Sequence, residues 1–182
     1  MSNTSTRYAA PAIVLHWLMA LLIVTAFAVG LKLWGLPLSP LKFKLIAWHK
    51  WIGITVLGLL VLRIVVRLAC KVPPLPTHMS PGEQRIAHAG HLALYLLMAA
   101  VPLAGWAMSS AYGIPIVYFG KITLPQLLGA DPQLAIKLRL LHQSLNLLLA
   151  LTVTGHALVA VKHHVVDRDG LLDRMRLGGK KS

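Results

Sequence analysis

Four stretches of the chain are almost wholly apolar for about twenty residues each, and short polar stretches marked by proline or glycine separate them. A helix rises ~1.5 Å per residue, so ~20 residues cross a hydrocarbon core of ~30 Å. The pattern therefore predicts four transmembrane helices, over about 13–33, 45–66, 86–110 and 140–161. Lys50 and Arg63 fall close enough to the ends of the second span to snorkel. Pro102 lies inside the third, where a kink is expected. Pro37, Pro40, the run VPPLP at Val72 to Pro76, and Gly113 with Pro115 punctuate the connections. No internal repeat or low-complexity tract interrupts residues 1–182, so the expectation is one all-α domain, a membrane four-helix bundle. The connection from Ala111 to Ile136 is long, and its LPQLLGAD stretch is expected along the outer membrane surface.

Ala26-Phe27-Ala28 resembles a signal-peptide cleavage site, but no charge occurs from Tyr8 to Leu31, which favours a retained first helix. The mean hydropathy of +0.69 fits a multi-pass membrane protein. A net charge of +13 raises nucleic acid as a partner. Yet the basic residues flank apolar runs, as membrane topology requires, and form no nucleic-acid motif, so that partner is excluded. Eleven Lys and Arg lie on the side of the N-terminus, the second connection and the C-terminal tail (among them Lys180 and Lys181), against seven on the other. The positive-inside rule then expects both termini in the cytoplasm. Cys70 is the one cysteine, so no internal disulfide forms, and no C-x-x-C-H offers covalent haem attachment.

His142 and His156 lie fourteen residues apart in the fourth span with no charge between them. Ionisable residues inside a membrane segment signal function and need a partner. Fourteen residues are ~21 Å along a helix and end on nearly the same side of it. His142 is thus near the outer face and His156 near the cytoplasmic face. His49 in the second span lies level with the first, and His16 in the first span lies level with the second. Two histidine pairs at two depths suit haem iron, which needs two axial ligands and brings a flat apolar macrocycle. Zinc, the other reading, usually takes four protein ligands. Gly53, Ala20, Gly155 and Thr152, within a turn of these histidines, could let a macrocycle approach the backbone, or serve helix packing alone.

LHW at Leu15 to Trp17, His49 opening the second span, LRIVVRL before VPPLP, AHAGHLALYLL at Ala87 to Leu97, and the histidine interval ending in KHH together resemble the bacterial cytochrome b561 family, which includes di-haem superoxide oxidases. The resemblance covers nearly the whole chain. It implies two non-covalent b haems, one held by His16 with His156 and one by His49 with His142.

Other polar residues carry candidate roles. His88 and His91 share a helix face near the cytoplasm and are candidates for a quinone or proton site, for inner-haem ligation, or for mere bonding to loop carbonyls. His163 and His164 fall where a quinone head group would approach. Arg63 and Arg67 could contact haem propionates or a quinone carbonyl, or anchor the helix. Lys42, Lys44, Lys50, Lys137 and Arg139 form a basic rim outside the outer pair, either steering a small anion or simply solvated. The expected function is electron transfer across a bacterial inner membrane, from superoxide outside to ubiquinone at the cytoplasmic side. The alternatives are a cytochrome b subunit docking a periplasmic dehydrogenase or hydrogenase, and a haem-free scaffold binding zinc.

Overall fold

The computed structural model of the chain describes residues 7–74 and 79–177. Lys180 and Lys181 of the orientation count, and Leu75 and Pro76 of the proline-rich run, lie outside them. Four long helices dominate: α1 Ala10–Gly35, α2 Pro40–Ala69, α3 Pro81–Ala111 and α4 Pro132–Lys162. Each contains the expected apolar span, and each is longer than it, because capping chemistry sets the helix ends while hydropathy marks only their middles. Proline opens all four, where its missing N–H costs nothing. Ser39 accepts from Lys42 N at 3.3 Å, and Asp131 accepts from Gln133 N and Leu134 N at 3.0 Å each. Ser80 and Glu83 close a reciprocal capping box. α3 runs on as one helix through Pro102.

The connection before α4 is shorter than expected, since Asp131-Pro132 starts that helix early. It forms a two-stranded antiparallel hairpin, β1 Val117–Tyr118 with β2 Ile122–Thr123. Trp51 Nε1 on α2 donates to Val117 O at 2.7 Å, and Thr55 Oγ1 bonds the Tyr118 hydroxyl at 2.8 Å. The LPQLLGAD segment, expected along the outer membrane surface, is exposed and tied to the end of α3. Leu127 N donates to Ser110 Oγ at 3.1 Å, and Trp106 Nε1 donates to Pro125 O at 3.0 Å. Backbone groups that a membrane would leave unpaired thereby find partners.

The four helices run alternately up and down, with α3 most extensively packed on α4. Residues seven apart return to nearly the same side of a helix, and each helix carries such a stripe. On α1 it is His16, Ile23, Gly30; on α2, His49, Val56, Arg63; on α3, His91, Met98, Gly105. On α4 the stripe is Ala135, His142, Leu149, His156, His163. Antiparallel packing stacks these into three layers about 10 Å apart. The middle layer, Ile23, Val56, Met98 and Leu149, is wholly apolar, buried, and part of the main core cluster. His49, His142, Gly30 and Gly105 form the layer toward the hairpin. His16, Arg63, His91 and His156 form the layer toward the chain termini.

Past α4 a π-helical turn, His163–Asp167, and two left-handed positions, Arg168 and Gly170, reverse the chain. A short 3-10 helix, Leu172–Met175, follows and rests on the start of α1, where Trp17 Nε1 donates to Met175 O at 2.9 Å.

Candidate functional site

The hairpin-end layer brings His49 and His142 together, ring centres 6.2 Å apart and planes at 90°. A third and a fourth helix fix each ring through backbone. His49 Nδ1 lies 3.1 Å from Ala26 O on α1, and His142 Nδ1 lies 2.9 Å from Val101 O on α3. A carbonyl only accepts, so each Nδ1 carries the proton and each Nε2 keeps a free lone pair. Four residues beyond each carbonyl stands a glycine. A Cβ at Gly30 would come within 3.3 Å of the His49 ring, and one at Gly105 within 3.0 Å of the His142 ring. Each imidazole thus sits in a notch made by a missing side chain.

The termini-end layer pairs His16 with His156, ring centres again 6.2 Å apart, planes at 68°. Here side chains hold the imidazoles. Arg63 Nη2 donates to His16 Nδ1 at 3.3 Å, and its Nε donates to the Tyr95 hydroxyl at 3.2 Å. Arg63 Nη1 is buried without a hydrogen-bond partner among the described residues. His91 packs against His156 with ring centres 5.6 Å apart. Of the two histidines that the sequence offered as competitors in this layer, the structure brings His91 into it, while His88 Nδ1 lies 2.6 Å from Gln84 O.

With about 2 Å from metal to imidazole nitrogen and about 1 Å more to each ring centre, two imidazoles on opposite faces of one iron have centres roughly 6 Å apart. Both pairs meet that spacing. Among the described residues, neither pair gathers the further His, Cys, Asp or Glu atoms that a tetrahedral zinc site needs. The donor set fits an ion that brings its remaining ligands with it, as haem does. Beside His156, Gly155 is exposed and a Cβ there would meet nothing within 4 Å. At Gly53 an added Cβ would meet Pro102 Cβ at 3.8 Å, so of its two expected roles this glycine takes the one in helix packing, against α3. Gly30 and Gly105 make the room at the hairpin-end rings, and their place seven residues from Ile23 and Met98 was the signal to find them.

Two cavities open at the termini end. One, of about 330 Å³, is lined by Tyr8, Arg67, Gln84, His88 and His91 among others, so three candidates for quinone or proton contact do converge. The other, of about 460 Å³, is lined by Met79, Glu83, Lys162, His163, Asp167 and Asp169. His163 is buried on the inward stripe, while His164, about 100° further round, is exposed. His163 and His164, both expected where a quinone head group would approach, therefore part, and Arg67 lines the other cavity. His163 Nδ1 lies 2.7 Å from Asp169 Oδ2 and 3.1 Å from Asp167 Oδ2, two carboxylates that the sequence reading missed in HHVVDRDG. At the hairpin end the basic rim is partly tied down. Lys42 donates to Leu36 O at 2.6 Å, Lys44 lies 5.0 Å from the centre of the Trp48 ring, and Lys50 donates to Ser109 Oγ at 2.7 Å.

Two bis-imidazole pairs in a four-helix membrane bundle agree with comparison to known proteins, where the model of the prokaryotic cytochrome b561 family matches residues 7–178. The chain belongs to that family. Cytochromes b561 are membrane electron-transfer proteins that bind haem b, and this one is a multi-pass protein of the bacterial inner membrane. It is 37% identical over 178 residues to cytochrome b561 homolog 2 of Escherichia coli K12, covering 96% of this chain and 93% of that one. It is 34% identical over 173 residues to the probable superoxide oxidase CybB of Yersinia pestis, covering 93% and 95%. To cytochrome b561 homolog 1 of E. coli K12 it is 24% identical over 170 residues.

Proposed function

We propose that this cytochrome b561 holds two b haems and carries electrons from superoxide, at a periplasmic hairpin end, to ubiquinone at a cytoplasmic end. The observation that carries the reading is the two histidine pairs with equal 6.2 Å spacing, ~21 Å apart along α4. His49 and His142 hold one haem, and His16 and His156 the other. Haem at each site supplies one-electron exchange. The apolar middle layer keeps water from between the sites. Arg63, with its unpartnered Nη1, and Arg67 receive anionic propionates.

Superoxide as donor is supported by the name of the Yersinia relative and by the basic rim. Lys42, Lys44, Lys50, Lys137 and Arg139 raise the local concentration of a small anion. Ubiquinone as acceptor is supported by the cavity of Arg67, His88 and His91, whose His91 touches His156. His163, held by Asp169, gives and regains protons at the same end as quinone becomes quinol.

Stopped-flow absorbance tests the reading on purified holoprotein. Superoxide should reduce the haems within the mixing experiment, and added ubiquinone should reoxidise them. Haems that quinone reoxidises but superoxide never reduces would transfer the role to a subunit docking a periplasmic dehydrogenase.

A further inference from the structure

The cavity of about 330 Å³ at the termini end has walls of two kinds. Arg67, His88 and His91 stand on α2 and α3, where intrahelical hydrogen bonds hold the backbone. Tyr8, before α1, and Val72 to Pro74, after α2, belong to no helix. Pro73 and Pro74 also lack the N–H with which a loop could fasten itself, so their carbonyls are their only backbone handles. A loose wall costs affinity, because a ligand must order it on binding.

The segment after α4 supplies the fastening. Arg174 Nη1 donates to Pro74 O at 2.6 Å, a charge-assisted bond between residues far apart in the chain. Arg174 O accepts from Tyr8 N at 3.4 Å. One residue thus ties both of the walls that lie outside the helices. It is itself held from both sides. Leu171 N donates to Asp169 Oδ1 at 2.9 Å before it, and Trp17 Nε1 donates to Met175 O at 2.9 Å after it. Arg7 Nη2 adds bonds to Asp173 O at 3.3 Å and Arg176 O at 3.0 Å. The neighbouring arginines do nothing of the kind with their side chains. Arg168 Nε turns back to Val165 O at 3.4 Å, and Arg176 Nη1 pairs with Asp173 Oδ1 at 3.0 Å. Both are exposed, whereas Arg174 is half-buried. A cation kept only for membrane orientation has no need of that placement.

Resting on the reading that this cavity takes ubiquinone, we infer that Arg174 is a positioning residue for the quinone head group. It acts through Tyr8 and Pro74, whose places it fixes before the quinone arrives. It takes no part in the transfer of electrons or protons. Its loss therefore weakens quinone binding and leaves the rate from the bound state alone.

Two measurements on purified holoprotein test this. Calorimetric titration of the oxidised protein with a short-chain ubiquinone gives Kd. Stopped-flow reoxidation of dithionite-reduced haems by the same quinone gives the half-saturating concentration and the limiting rate. Arg174→Ala should raise Kd and the half-saturating concentration about tenfold, the worth of one charge-assisted hydrogen bond, with the limiting rate unchanged to within about twofold. Arg176→Ala, which removes the same charge from the same segment, should move neither. Arg174→Met keeps the stem without the donor and should match Arg174→Ala; it decides the matter if Arg174→Ala sheds haem. An unmoved Kd in Arg174→Met, an equal rise in Arg176→Ala, or a loss confined to the limiting rate would overturn the inference. A wild type that quinone neither binds nor reoxidises would sink the proposed acceptor itself, whereas quinone binding indifferent to Arg174 would sink only the clamp.

Discussion

The layer toward the hairpin and the layer toward the termini present the same 6.2 Å imidazole pair, yet they are built differently. In the first, two glycines open notches and two main-chain carbonyls hold the rings. In the second, an arginine on α2 and a third histidine on α3 complete the layer. Backbone cannot titrate, move far or carry net charge, so the hairpin-end pair is rigid and its tautomer is fixed. Side chains can do all three. The termini-end pair is thus surrounded by groups able to meet anionic propionates, a quinone and protons. A site that only receives single electrons needs rigidity, and a site that also couples them to protons needs movable charge.

The contrast is broken most severely at a notch. A Cβ at Gly105 already comes within 3.0 Å of the His142 ring, so Gly105→Val should displace that ring. Haem content by pyridine haemochrome should fall from two per chain to one, with the termini-end haem kept. Gly58, where a Cβ meets nothing within 4 Å, is the control, and Gly58→Ala should retain both. Equal haem content in both variants would show that the notch is not needed.

Next comes the proton side of the contrast. His163→Gln should slow haem reoxidation by ubiquinone about 100-fold, in the range typical of a lost general acid, with haem reduction by superoxide unchanged. Asp169→Asn should slow it too, and the double variant should be no slower than His163→Gln, since the two act as one unit. Additive losses would separate them. A smaller effect belongs to the rim. Lys42, Lys44 and Lys137 together changed to Glu should slow reduction by superoxide about tenfold at low salt and flatten its salt dependence, leaving a neutral donor unaffected. The smallest sharpens the first: at Gly30 the contact would be 3.3 Å, a distance the His49 ring can absorb by a small shift. Gly30→Ala should keep two haems but cost the hairpin-end one about 1 kcal/mol, seen as roughly fivefold faster haem loss to an acceptor protein.

The four spans were legible because uncharged runs of bilayer length are rare outside membranes, where a helix normally keeps one polar face for water. The pairing of His49 with His142 and of His16 with His156 followed from depth alone. The helix ends were missed, although Ser39-Pro40, Ser80-Pro81-Gly82-Glu83 and Asp131-Pro132 were readable as caps. Hydropathy is blind to such polar signals. The notches were missed for a different reason. Gly30 and Gly105 lie far in sequence from the rings they admit, and searching within one turn of each histidine led to Gly53, which faces Pro102 on α3. Only the heptad stripes, compared across four helices, put glycine opposite histidine. Asp167 and Asp169 were not legible at all, because the π-helical turn and the left-handed Arg168 that fold them back onto His163 have no clear sequence mark.

The central claim, two bis-histidine haem sites in two separate layers, is tested most directly by counting haem in single and double ligand variants. Purified wild type should carry two b haems per chain. His142→Ala and His49→Ala should each carry one, His16→Ala and His156→Ala the other one, and His16→Ala with His142→Ala none. Within a layer, His49→Ala with His142→Ala should lose no more than either alone. If His16→Ala keeps two haems while His91→Ala keeps one, the termini-end pairing is wrong. If any single variant empties both layers with the fold intact, the sites are not separate and the account fails.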